Sequence, residues 1–189
     1  MAPADTAALA PAPAPLLKPG QHPHRVSLPL RQMHTALLVV HQSFPATTEH
    51  AASVFDMIRS PLSFQHLLHL LDKYEVVSDG DLLSALVLVA RLQAAGVVVT
   101  RRNFVAMFVG CLTVAHKFAH DNPYNNRTMG YFSRIPTDQL ARVELGVLVQ
   151  LKFAVAFTSD DIANAETLLR DVLGRVTPVT APAAYGLAA

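Results

Sequence analysis

The chain has 189 residues, 51% of them apolar or aromatic, and a formal net charge of +1, enough for one domain with a sizeable core. Its basic residues are scattered, without the footprint of a nucleic-acid binder. Cys111 is the only cysteine, which excludes an intrachain disulfide and a thiolate zinc site.

The first residues, "MAPADTAALAPAPAP", lack the basic start and continuous apolar core of a secretory signal. Repeated Ala-Pro cannot sustain a helix, so residues 1–30 are expected to form a flexible arm, with a matching tail at 175–189. Between them the pattern is helical. A first helix is expected at 31–42, closed by Ser43-Phe44-Pro45, and a second segment at 48–59; together they make an N-terminal extension over 31–60.

"SPLSFQHLLHLLDKYEV" opens an amphipathic helix with Phe64, Leu67, Leu68, Leu71 and Tyr74 on one face, started by Ser60-Pro61 or Ser63. Residues 81–94 are apolar on nearly every side, as expected of the middle helix of a bundle. Gly96 to Val99 then link to a helix over 101–120 that Thr100 can cap. Pro123 ends it, and a short helix follows at 127–132. Thr137 and Asp138 start another helix, running to 152. A last helix is expected at 158–174, capped by Thr158 or Ser159, with two acids in its first turn and Gly174 as a left-handed C-cap. No membrane span is predicted: 82–99 is broken by Arg91, Gln93 and Gly96, and 104–115 is too short. A soluble protein of the cytoplasm or nucleus is expected.

The stretch "AHKFAHDNPYNN" concentrates the chemistry. His116 and His120 stand four apart on one helical face, a spacing that can chelate zinc. Yet Lys117 occupies the place where a zinc protease carries its glutamate base, and only Asp121 offers a nearby third ligand. Ordinary helix-surface histidines are therefore the preferred reading, and neither metal nor cofactor is expected. Lys117 follows the apolar run "FVAMFVGCLTVA", so its stem is expected to be enclosed and its ammonium to need a partner. Glu144, equally flanked by apolar residues, is the candidate, either as an internal ion pair or as a pair at the rim offering donors and acceptors to another chain.

"KFAHDNPYNNRTMGYFSRIPTDQLARVELGVLVQLKF" resembles the cyclin box, most closely that of the fungal phosphate-response and plant U-type cyclins. Lys117, Phe118, Asp121, Tyr124, Asn125, Asn126, Glu144, Leu145, Leu148 and Phe153 are among the positions that match. The upstream segment "SFQHLLHLLDKYEVVSDGDLLSALVLVARL" is similar to the first two box helices, so the resemblance covers about 62–157. His120 replaces one of two usual acids, and "YFSRIP" stands where the family carries a glycine-containing "KVGGIS".

The resemblance implies an all-α fold, a five-helix cyclin box at 61–157 with flanking N- and C-terminal helices. It also implies a non-enzymatic partner that binds and activates a cyclin-dependent protein kinase. Lys117 and Glu144 would then bond main chain near the kinase's regulatory helix, with Phe118, Phe153 and Val155 at the interface. Asp121 would pair with an arginine near the activation segment, or else cap its own loop. In the absence of kinase, the apolar docking face gives a route to self-association. Two rivals keep the fold: a helix-binding scaffold that does not activate, and a DNA-binding transcription factor, for which Arg101, Arg102 and Arg134 form an insufficient patch. Cys111, midway along an apolar helix, is expected to be a packing residue and not a nucleophile.

Overall fold

The computed structural model describes residues 28–47 and 53–175. Most of the Ala/Pro arm, the start of the expected segment at 48–59 and the tail beyond 175 lie outside the described residues. Within them are eight helices and no strand: α1 (Leu30–Ser43), α2 (Val54–Met57), α3 (Phe64–Lys73), α4 (Asp79–Ala94), α5 (Arg101–Ala119), α6 (Asn126–Ser133), α7 (Thr137–Gln150) and α8 (Ser159–Arg175). The all-α expectation holds. Among the described residues no helix is long and apolar enough to cross a membrane.

The starts of these helices follow their local chemistry. Ser63 caps α3 by accepting from His66 N, and Ser78 and Thr100 form capping boxes with Asp81 and Asn103 at the starts of α4 and α5. Thr158 does the same for α8, accepting from Asp161 N. Thr137, expected to start α7, is instead its first helical residue behind Pro136, and makes no side-chain cap. Pro fits at such a boundary because its fixed φ and missing N–H cost nothing there.

Three helices end in the same closure. After α3, Glu75 N donates to Asp72 O and Val76 N to Leu71 O; after α4, Gly96 N donates to Gln93 O and Val97 N to Leu92 O; after α7, Lys152 N donates to Val149 O and Phe153 N to Leu148 O. This is the Schellman pattern, which needs a left-handed residue just past the helix. Gly96 supplies it freely at φ +89°, whereas Glu75 (φ 47°), Lys152 (φ 50°) and Phe153 (φ 61°) carry a Cβ there. Gly174, expected to close α8, lies inside a helix that continues to Arg175. Of the expected second segment, the described residues 53–59 are helical over Val54–Met57.

α5 is the axis of the bundle. Every residue from 106 to 116 is buried, and the helix contacts α1, α2, α4, α6 and α7. α4, expected in the middle, is apolar all round because it is enclosed between α5 and α8. Leu28 is also buried, so the packed chain begins before the end assigned to the arm. Tyr74 leaves the apolar face of α3 and is exposed. Cys111 is fully buried, and burial pushes its thiol pKa up, consistent with an inert packing residue.

One glycine sets a critical spacing. A Cβ at Gly110 would collide with the Val143 side chain, so α5 and α7 approach closely because Gly110 has none. Gly110 lies two turns before Lys117, and Val143 is the neighbour of Glu144.

Candidate functional site: a charged ring on an apolar rim

The close approach of α5 and α7 brings the two predicted charges together. Lys117 Nζ lies 2.6 Å from Glu144 Oε1. The same ammonium donates to Asn126 Oδ1 at 2.6 Å, and Asn126 Nδ2 donates to Glu144 Oε2 at 2.6 Å. Three side chains from α5, α6 and α7 thus close a ring. Asn126 was legible as part of the cyclin-like segment, but its role as the bridge was not.

The ring is neither sealed nor loose. The Lys117 side chain retains 33% of its accessibility and that of Glu144 16%. Of the three ammonium N–H groups, two are used within the ring, which leaves one to offer outward. The pair is thus a tertiary ion pair within the chain that keeps part of its surface open to solvent.

Next to Glu144 on α7 lies exposed apolar surface. Leu145 and Val149, one turn apart, are 57% and 55% exposed, and Phe153 beyond the helix is 64% exposed. Leu148 lies between them and is half-buried. Phe153 is held out by the left-handed pair at 152–153 that closes α7. The following segment is fixed from α4: Arg91 donates to Ala154 O at 3.2 Å, to Ala156 O at 2.8 Å and to Asp161 Oδ2 at 3.0 Å. In the sequence Arg91 registered only as a break in an apolar run.

The other predicted interface residues divide. Val155 is half-buried against the core. Phe118 is half-buried too, edge-on to Phe157 with ring centroids 5.6 Å apart, so it supports the surface more than it projects from it. Asp121 is exposed and makes no side-chain hydrogen bond or ion pair with another described residue, so the loop-cap role is not found.

The histidines overturn an expectation. His116 is buried and not on the surface, and the third group near it is Asp81 of α4, not Asp121. His116 Nδ1 lies 3.3 Å from Asp81 Oδ2, and His120 Nε2 lies 3.1 Å from each carboxylate oxygen. Burial by itself would raise the Asp81 pKa, but hydrogen bonds from His116 and Ser78 outweigh it and lower the value to about 2. No local signal could connect these groups, because Asp81 precedes His116 by 35 positions.

A family model for cyclins matches residues 13–155, well over half of the chain. The protein is a cyclin. The match extends further toward the N-terminus than the resemblance in the sequence and takes in α1 and α2. No curated protein and no solved structure matches the chain significantly. As a cyclin it belongs to a class of regulatory, non-enzymatic domains whose usual partner is a protein kinase.

Proposed function

We propose that this cyclin binds a cyclin-dependent protein kinase through the rim around Lys117 and Glu144 and holds the kinase's regulatory helix in the active position. The observation that carries this reading is the partly open Lys117–Asn126–Glu144 ring bordering the exposed Leu145, Val149 and Phe153. A regulatory helix has an apolar face to bury and unpaired main-chain groups at its end. The apolar strip suits the first. The remaining ammonium N–H suits a carbonyl, and the carboxylate suits N–H groups at a helix start.

Binding energy would come chiefly from apolar burial, while the charged ring sets register. Phe153 is the projecting side chain, backed by Val155 and Phe118. Asp121, exposed at the end of α5, is placed in this reading against an arginine of the kinase activation segment. Activation is a population shift, limited by how much better the cyclin binds the active kinase conformation.

The test is affinity capture of kinases by the full chain, followed by a kinase assay on the purified complex. Lys117→Ala and Glu144→Ala are each expected to weaken kinase binding by about 2–5 kcal/mol while the protein stays folded. Folded variants that both bind and activate like the parent would remove this face from the interface. A complex that forms without raising kinase activity would leave the helix-binding scaffold in its place.

A further inference from the structure

A second cluster lies one residue away from the ring and takes no part in the proposed docking. Asp81 from the first turn of α4 meets His116 from the last turn of α5 and His120, the residue just past its end, and one donor atom from each lies within 4.8 Å of the others. The carboxylate is oriented from behind by Ser78, whose N and Oγ donate to Asp81 Oδ2 at 2.8 and 2.9 Å. His116 is fixed by stacking on Tyr124, with ring centroids 5.1 Å apart and planes within 8°.

The dimensions suit a small tetrahedral ion. Zinc–nitrogen and zinc–oxygen bonds of about 2.0–2.1 Å put neighbouring ligands roughly 3.3 Å apart. His116 Nδ1 and His120 Nε2 lie 3.3 and 3.1 Å from one and the same carboxylate oxygen, Asp81 Oδ2. Two imidazole nitrogens and one carboxylate oxygen form a borderline set that favours zinc-like transition metals over calcium or magnesium, which prefer oxygen alone. The outward side opens on a cleft of about 420 Å³ lined by Glu75, Asn122 and Tyr124, which leaves a route in and a place for a fourth ligand.

We propose that Asp81, His116 and His120 form a site for one zinc-class divalent ion, clamping the start of α4 to the end of α5. The ion would brace the helix end that carries Lys117 while remaining outside the kinase-facing rim.

The full chain, stripped of metal with a chelator, is titrated with Zn²⁺ in competition with a chromophoric chelator. One equivalent should bind, and Co²⁺ should give a visible absorption band that Zn²⁺ abolishes. His120→Ala should weaken zinc binding by at least about tenfold, the lower end of what even an outer-shell partner contributes. His120→Gln keeps a side-chain donor for Asp81 and should fold while losing the metal. His69→Ala, on the exposed face of α3, should bind as the parent does. Absence of zinc uptake by the parent, uptake undiminished in His120→Gln, or uptake lost in His69→Ala would each overturn the site.

Discussion

His116 and Lys117 are consecutive residues of α5, yet they belong to two different polar clusters. His116 turns to Asp81 at the start of α4, and Lys117 turns to Glu144 on α7 with Asn126 between. Successive helical residues point about 100° apart, so one turn of an axial helix can serve two neighbours. The difference is in enclosure. The Asp81 side chain is 1% exposed, whereas that of Lys117 is 33% exposed. A cluster centred on a buried carboxylate acts chiefly on stability even where its His120 edge meets a cleft, whereas a cluster whose ammonium reaches solvent is suited to recognition.

The largest expected effect sharpens that contrast. Asp81→Ala strands a buried histidine, removes the N-terminal capping box of α4 and should cost about 3–5 kcal/mol in urea unfolding. Glu144→Ala should cost much less stability, about 1 kcal/mol or below, because its partner can reach water. Equal losses for the two variants would erase the distinction.

Gly110→Ala should separate the clusters from each other. The added methyl meets Val143 and forces α5 from α7, at a cost of about 1–3 kcal/mol in the same assay. It should open the Lys117–Glu144 contact and weaken kinase capture, while the Asp81 cluster, built between α4 and α5, keeps its geometry. A variant as stable as the parent would show that the helices have slack at this crossing.

Acid should loosen the rim through Asp161. Burial raises its pKa, but hydrogen bonds from Thr158 and the charge and hydrogen bond of Arg91 lower it on balance from 3.8. Its contribution is therefore complete above the unfolded value and is lost as pH falls through the lower folded one. The near-ultraviolet circular dichroism of the parent, to which the Phe118–Phe157 pair contributes, should change below about pH 4. Asp161→Asn should flatten that change; an unaltered acid profile would detach Asp161 from the segment that presents Phe153.

The smallest effect concerns the loop after α6. Arg134 sits at φ 58°, where the resembling family pattern carries glycine, and its guanidinium lies 5.2 Å from the Tyr131 ring centre. Arg134→Gly relieves left-handed strain of about 1 kcal/mol and loses a cation–π contact of comparable size, so thermal unfolding should move by only a few degrees. A large loss would mean that the Tyr131 contact holds α6, and with it Asn126, in the ring.

Much of the fold was legible because its signals are local. Apolar spacing marked α3, an apolar surface on nearly every side marked α4, and Ser63, Thr100 and Thr158 marked starts through contacts only three residues long. Gly174 misled because glycine permits a left-handed stop without compelling one. Thr137 misled because Pro136 had already set the boundary.

By itself the sequence determined an all-helical chain of the cyclin family and singled out Lys117 and Glu144 as charges needing partners. Only the packed structure decided that Asn126 bridges them, that Arg91 holds the chain beyond Phe153, and that Asp81 meets two histidines. The physical reason is range. Caps and amphipathic faces are written within a turn or two of helix, whereas a buried polar cluster is assembled by how closely whole helices approach, which here depends on a side chain that Gly110 does not have.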